Sequence, residues 1–256
     1  MTTSTAISTA CRGQGPDTPL VVLIHGVGFG PETLGGLAAA LATQAPVIRV
    51  TRRGYGERAH LPPAASVALH VEDVLAVLDE AEVSRAVIAG MSGGATIALA
   101  LAIACPERVV AAVVHEPAVG SVAPKLRALV RDALTRGGGS ELLRVLAGAE
   151  TWDALTPAAV AALDASSRLV EADAAAFLAF EPHLASARGR VPLVCSVGEH
   201  SSVLRHAVAE QLAERMGAPV AVVPGCRHLP QLDAPEAFAE LILEHAFTLP
   251  RGPTAP

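Results

Sequence analysis

The sequence predicts an α/β protein with a mostly parallel sheet and helices on both faces, and two observations lead to this prediction. From Leu20 onward, short apolar runs alternate with longer segments in which apolar residues have helical spacing. The short runs are compact and apolar throughout, which is typical of strands that are buried on both faces. A chain of 256 residues is long enough for one large domain with a sizeable core, or for one domain that carries an insertion.

The individual elements follow from these patterns. The predicted strands are Val21–Ile24, Val47–Thr51, Ala86–Ala89, Val109–Val114, Val191–Val197 and Val220–Val223. The predicted helices between and after them are Pro31–Ala42, Val67–Ala81, Ala95–Cys105, Val203–Met216 and Pro235–Leu249. Each helix separates two strands or follows the last one, so consecutive strands are expected to be parallel.

The alternation stops between Pro117 and Arg190, where the sequence predicts helices only. These helices are Lys125–Arg136, Glu141–Glu150, Pro157–Leu163 and Arg168–Phe180, with the glycines at 137–139 as a flexible joint. An all-helical stretch between two strands indicates a cap over the sheet and not a separate domain. We therefore expect a core formed by residues 1–117 and 190–256 and a helical cap formed by residues 118–189.

Composition excludes several classes of protein. Aromatic residues make up 3% of the chain and the net charge is −6, which disfavours a nucleic-acid-binding surface. The four cysteines form no CxxC pair and have no metal-ligand spacing with histidine, so we expect no metal and a reducing, cytoplasmic setting. The uncharged segment from Ala86 to Cys105 is interrupted by glycines, which favours a buried strand, turn and helix over a membrane span.

The pentapeptide from Gly90 to Gly94 reads GMSGG and fits G-x-S-x-G at the junction of a predicted strand and helix. A serine on such a sharp turn projects its hydroxyl above the sheet, while the flanking glycines remove side chains that would clash. The alternative is a glycine-rich turn that only packs a helix tightly on a strand. Because of its position, we favour Ser92 as a nucleophile.

Two further segments complete a possible catalytic set. The loop HGVGFG follows the first clear strand, and its N–H groups can turn toward the oxygen of a tetrahedral intermediate. As a dinucleotide fingerprint it lacks the third glycine and the acidic residue that should end the next strand. His228 follows the last strand and precedes the final helix, where a general base for Ser92 would lie.

Together these segments resemble the α/β-hydrolase superfamily from about Leu20 to Leu249. The matching segments are HGVG, RRGYGER, GMSGG, PERV and GCRHLPQLDAPEAF. The resemblance implies an α/β-hydrolase fold with a helical cap, Ser92 as nucleophile and His228 as base. It also implies an oxyanion hole formed by the backbone N–H groups of Val27 and Gly93, and no cofactor.

The sequence departs from the family pattern at the acid of the triad. Family members commonly carry this acid in a loop after the strand that corresponds to Val191–Val197, but Ser201 stands at the expected position. Glu116, directly after the strand Val109–Val114, is the preferred substitute because it lies one strand beyond the nucleophile at the same sheet edge. Glu199 is the second candidate, and a Ser–His dyad or no triad at all is the third.

The predicted function is hydrolysis of a carboxylic ester, thioester or lactone through an acyl-enzyme on Ser92. The apolar cap favours a hydrophobic small molecule as substrate, and Phe177 in the cap is either a pocket residue or part of helix packing. One alternative is other chemistry on the same fold: carbon–carbon bond cleavage, acyl transfer or cyclisation. The other is a ligand-binding descendant without activity. Arg52, Arg53 and Arg58 are expected to pair with Glu57 or cap carboxylates, or else to attract an anionic substrate.

Overall fold

One seven-stranded sheet organises the protein in the computed structural model, which describes residues 7–11, 18–153 and 155–247. The strands are β1 (Ile7–Cys11), β2 (Val21–Ile24), β3 (Val47–Val50), β4 (Ala86–Met91), β5 (Val109–His115), β6 (Leu193–Gly198) and β7 (Val220–Val223). Their spatial order is β1-β3-β2-β4-β5-β6-β7. All neighbouring pairs from β3 to β7 are parallel, so the predicted mostly parallel sheet is confirmed.

The first strand was not predicted. Its sequence, ISTAC, contains a single large apolar residue, so it lacks the compact apolar run that marks the other strands. It pairs antiparallel with β3 and covers that edge of the sheet through backbone hydrogen bonds. A sequence pattern that depends on apolar side chains cannot detect such a strand.

Helices cover both faces of the sheet. They are α1 (Gly35–Leu41), α2 (Val67–Glu80), α3 (Gly93–Ala104), α4 (Pro124–Ala147), α5 (Ala149–Asp153), α6 (Pro157–Ala165), α7 (Ser167–Leu178), α8 (Val203–Met216), α9 (Pro230–Asp233) and α10 (Pro235–Phe247). Helices α1 and α10 pack in the core of one face, whereas α2, α3 and α8 contribute to the core of the other. The last two residues predicted for the final helix, 248 and 249, lie outside the described residues.

Helix α3 is buried on nearly all sides. Its first ten residues, from Gly93 to Ala102, are all buried, and many are alanines or glycines, which allow close approach of neighbouring elements. The uncharged segment from Ala86 to Cys105 therefore consists of the central strand β4, a tight turn and this core helix. Among the described residues, no helix is both long and apolar enough to cross a membrane.

Helices α4–α7 form a helical insert between β5 and β6. The predicted joint lies within α4, where Gly137 and Gly138 have non-helical backbone angles. Gly139 has a different role, because a Cβ atom there would lie 2.1 Å from the backbone oxygen of Ser167 on α7. The glycines therefore kink α4 and let it approach α7. The predicted helix Glu141–Glu150 differs from the structure, since α4 ends before Gly148, which has φ +82°.

Candidate active site

Ser92 occupies the turn between β4 and α3 with φ 55° and ψ −120°, a backbone conformation that is rare for a residue with a side chain. Its N–H donates a 2.8 Å hydrogen bond to the backbone oxygen of His115 at the end of β5. A Cβ atom at Gly90 would lie 2.2 Å from the oxygen of Gly94, and one at Gly94 would lie 2.1 Å from the oxygen of Ile24. Both glycines are thus required for this turn.

These distances predict opposite effects for two glycine substitutions. Gly94→Ala should prevent formation of the native turn and destabilise the protein by at least about 3 kcal/mol, because the obstructing atoms belong to the backbone of β2. Gly36→Ala, at an exposed position of α1, meets no atom closer than 3.7 Å and should be neutral or stabilise by up to about 1 kcal/mol. Urea unfolding of both variants checks this, and equal stabilities would contradict it.

The glycine-rich loop after β2 lies beside the Ser92 turn. A Cβ atom at Gly26 would lie 3.3 Å from both Met91 O and Ser92 Cβ, so the loop and the turn are in close contact. The N–H of Gly28 donates to Tyr55 Oη at 2.8 Å, which leaves it unavailable to a substrate. Val27 lines the same cavity as Ser92.

Glu116 lies immediately after β5, beside His228. Its Oε2 is 2.7 Å from Nδ1 of His228, and its Oε1 accepts hydrogen bonds from Gly198 N at 3.1 Å and from the hydroxyl of Ser201. Burial favours the neutral acid, but the His228 hydrogen bond and nearby positive charge outweigh it and hold the pKa of Glu116 below its ordinary range. The side chain is therefore a buried carboxylate. Its φ of +46° is unusual for glutamate.

His228 lies in the loop between β7 and α9 and is 5% exposed. Because the Glu116 carboxylate only accepts hydrogen bonds, Nδ1 of His228 is the donor between them. In the neutral ring, Nε2 then carries the lone pair that can accept a proton. Burial lowers the pKa of His228, which favours this neutral form.

The other acid candidate is directed elsewhere. Glu199 is about half exposed, and its carboxylate accepts a hydrogen bond from Gly225 N at 2.9 Å. Ser201, at the position where the family resemblance places the acid, donates its hydroxyl hydrogen bond to Glu116. The structure thus brings Glu116, and not Glu199, into contact with His228.

An apolar cavity opens beside Ser92 and contains about 570 Å³ of unfilled space, including its mouth. Ser92, Val27 and Glu116 line it from the sheet side. The insert and the segment that leads into it from β5 provide most of the remaining wall, which includes Val119, Leu126, Leu142, Leu146 and Phe177. No group of three or more His, Cys, Asp or Glu side chains within the described ranges is arranged to hold a metal ion.

A buried polar network joins the insert to the sheet next to this cavity. Asp173 on α7 is fully buried and lies 2.7 Å from Nη2 of Arg52, which follows β3. Its other oxygen accepts a 2.8 Å hydrogen bond from Tyr55 Oη, the same hydroxyl that receives the N–H of Gly28. Arg52 also donates to Gly26 O at 3.1 Å. The network therefore connects the insert to the glycine-rich loop.

The ion pairs predicted for Arg52, Arg53 and Arg58 are found in part. Arg52 pairs with a carboxylate of the insert, one of the predicted partners. Arg53 and Arg58 instead pair with Asp73 on α2, at 2.7 and 2.9 Å, and not with Glu57. Since all three have carboxylate partners, they are structural charges and not an open anion site.

The fold is that of an α/β-hydrolase, and the sequence comparisons agree. The model of the alpha/beta hydrolase family matches residues 21–241, so the chain belongs to this family. A Klebsiella pneumoniae protein named "Putative carbamate hydrolase RutD" is 34% identical over 129 residues, which are 49% of this chain and 48% of that protein. The chain thus matches about half the length of that relative.

Solved structures show the same fold over nearly the whole chain. A hydrolase from Pseudomonas aeruginosa superposes with a TM-score of 0.74 at 23% identity and 92% coverage of both chains. Est816, described as an N-acyl homoserine lactone degrading enzyme, has a TM-score of 0.74 at 25% identity, with 90% of this chain and 93% of that chain covered.

Proposed function

We propose that this protein is a serine hydrolase that cleaves a carboxylic ester, thioester or lactone of a hydrophobic small molecule. The observation that carries the proposal is that Ser92, on a strained turn at the carboxyl end of the central strand β4, lines one cavity together with Glu116, the buried hydrogen-bond partner of His228. Strained, small-residue turns of this kind expose a serine hydroxyl to substrate. The order Ser92, Glu116, His228 along the chain is that of α/β-hydrolase triads.

In the proposed reaction, Ser92 Oγ attacks the substrate carbonyl carbon while Nε2 of His228 accepts its proton. Glu116 stabilises the imidazolium through the Nδ1–H hydrogen bond. The backbone N–H groups of Val27 and Gly93 are the proposed oxyanion donors, because Gly93 is the first residue of α3 and its N–H has no acceptor within the helix. His228 then protonates the leaving oxygen or sulfur, and water activated by the same ring releases the acyl group.

The substrate class follows from the cavity. Its wall beside Ser92 is formed mainly by aliphatic residues and Phe177, so an apolar acyl group is favoured there. We assign the helical insert the role of a cap over this cavity. Names of relatives add lactones and carbamates to the panel of substrates that should be tested.

A fluorophosphonate probe tests the nucleophile directly. Wild-type protein should become labelled on the peptide that contains Ser92, and Ser92→Ala should lose this labelling completely, because the probe needs an activated hydroxyl. Ser84→Ala removes an exposed serine from the opposite end of β4 and should label like the wild type. Labelling, peptide mapping and ester hydrolysis are measured on all three proteins. A folded wild type that remains unlabelled and hydrolyses none of the panel would falsify the proposed function.

A further inference from the structure

Arg205 contacts the same carboxylate oxygen as the proposed base. It lies in the first turn of α8, and its Nη1 is 2.9 Å from Glu116 Oε2, which is also 2.7 Å from Nδ1 of His228. The arginine side chain is only 12% exposed and forms part of the wall of the Ser92 cavity. Glu116 Oε2 is therefore shared by a permanent cation and by the imidazole ring.

We propose that Arg205 is a positioning residue of the catalytic site: it orients Glu116 toward His228, and its charge keeps His228 in the unprotonated form that can act as a base. This inference rests on the proposed function of Ser92 and His228. No role of this kind follows from the G-x-S-x-G motif or from the resemblance, which concern the nucleophile, acid, base and oxyanion donors.

The orienting effect follows from geometry. A charge-assisted hydrogen bond from a guanidinium is directional, and here it fixes one carboxylate oxygen while Gly198 N and Ser201 fix the other. Glu116 is thus held through both oxygens, and its Oε2 keeps a lone pair directed at the imidazole. Rigid support of this kind limits the reorientation that the acid would otherwise undergo during proton transfer.

The electrostatic effect depends on all charged groups around His228. Glu116 and Asp233 of α9 favour the imidazolium, whereas Arg205 opposes it. His115, whose Nε2 lies 3.7 Å from Glu116 Oε1, has a pKa lowered to about 4 by burial and is neutral at ordinary pH. Arg227 precedes the base, and its backbone N–H binds Asp233 at 3.0 Å.

The remaining residues around His228 contribute little to its protonation equilibrium. The loop after β6 contributes Glu199 and His200, whose side chains are about half exposed and lie 3.8 Å from each other. The residues of the insert that share a pocket with His228 are apolar: Leu126, Leu129, Val145, Leu146, Ala147 and Gly148. After burial itself, Arg205 is the largest influence that lowers the pKa of His228.

The consequence is a base that remains available at mildly acidic pH. Because Arg205 disfavours the imidazolium, the rate should fall on the acidic side of the pH–rate profile with a midpoint below the ordinary histidine pKa of about 6.5. Removal of the positive charge should move this midpoint upward, because Glu116 would then stabilise the protonated ring without opposition. If Arg205 only fastened α8 to the end of β5, its replacement would change the rate at every pH. The midpoint of the acidic limb of the pH–rate profile would then stay where it is in the wild type.

The experiment compares the wild type with Arg205→Gln and Arg205→Lys. The protonation midpoint of His228 is measured by NMR on protein with 15N-labelled histidine, and the pH dependence of fluorophosphonate labelling is measured in parallel. We expect a wild-type midpoint below 6.5, a rise of roughly one pH unit in Arg205→Gln, and a value near the wild type in Arg205→Lys, which keeps the charge. The labelling midpoints should shift with the NMR midpoints.

Several outcomes would overturn the inference. A wild-type midpoint at or above 6.5 does so without any variant, and so does an unchanged midpoint in folded Arg205→Gln. If Arg205→Gln does not fold, Arg205→Met, which keeps an apolar stem, replaces it in the same comparison. The NMR measurement requires no reaction, so shifted midpoints in an unreactive protein would reject the proposed function and leave only the electrostatic effect of Arg205 on His228.

Discussion

Replacement of Glu116 by glutamine is expected to lower kcat/KM for ester hydrolysis by roughly 10³- to 10⁴-fold. The buried carboxylate accepts the Nδ1–H of His228 and so leaves the lone pair of the neutral ring on Nε2, the atom proposed to take the proton of Ser92. An amide can instead donate to Nδ1, which selects the wrong tautomer and supplies no charge to the imidazolium. The loss should appear in kcat and in the rate of fluorophosphonate labelling, while the thermal unfolding curve shows that the protein remains folded.

Glu199→Gln is the matched control for this prediction. Its carboxylate is about half exposed and binds Gly225 N, so its replacement should change kcat/KM by less than about threefold. A second control, Glu116→Gln with Ser201→Asp, places a carboxylate at the position implied by the family resemblance and should recover part of the lost activity. If Glu199→Gln is as damaging as Glu116→Gln, or if Glu116→Gln has no effect, the assignment of the acid is wrong.

A large loss of stability is expected from Asp173→Asn. This change leaves Arg52 as a buried cation without its counter-charge, and loss of one partner from a buried pair typically costs about 3–5 kcal/mol of the free energy of unfolding. The hydrogen bond from Tyr55 is weakened as well, which loosens the support of the Gly28 N–H. Urea unfolding at pH 7 measures the effect.

Two comparisons make this prediction specific. Asp132→Asn removes one partner of an exposed pair with Arg136 on α4 and should change stability by less than about 0.5 kcal/mol. The double variant Arg52→Met/Asp173→Leu removes both buried charges and should recover much of the loss. Equal stabilities of Asp173→Asn and Asp132→Asn would show that the buried pair does not join the insert to the sheet.

The same pair implies a dependence of stability on pH. Burial favours the neutral acid, but Arg52 and its neighbours outweigh it and lower the pKa of Asp173 from 3.8 to about 2. Because the folded-state pKa is depressed, the stabilisation is complete above about pH 4 and is lost as the pH falls toward about 2. In Asp173→Asn this part of the acid-induced loss should be absent.

Six strands and the order of elements could be predicted because buried parallel strands require compact apolar runs. The strand β1 could not, since its pairing depends on backbone groups and not on an apolar pattern. The insert was predicted as helical, but its boundaries shifted near Gly148 and Gly137, where backbone conformation and close packing decide where a helix ends or kinks.

The residues around Ser92 differ in how well their placement at the site could be predicted from the sequence. Ser92, Glu116 and His228 each stand directly at the end of a strand or in the loop after one, and such positions converge at one edge of a parallel sheet. Their catalytic roles stay predictions. Arg205 lies in the first turn of a helix, where a charged residue has no local signature of such a role. Its partner is determined by how α8 docks, which the sequence pattern does not encode.

The location of Glu116 also affects the design of chimeras in which the helical insert is exchanged for that of a relative. Glu116 lies at the start of the segment that leads from β5 into the helical insert, whereas Ser201 lies beyond β6, on the far side of the insert. If the acid stood at position 201, the whole strand β6 would separate it from the insert, and an exchange of the insert would leave it in place. In this protein, the junction of such an exchange falls next to Glu116, the proposed acid. Chimeras that replace the insert should therefore retain His115 through Ala118, because an exchange that includes these residues would remove the proposed triad acid together with the old insert.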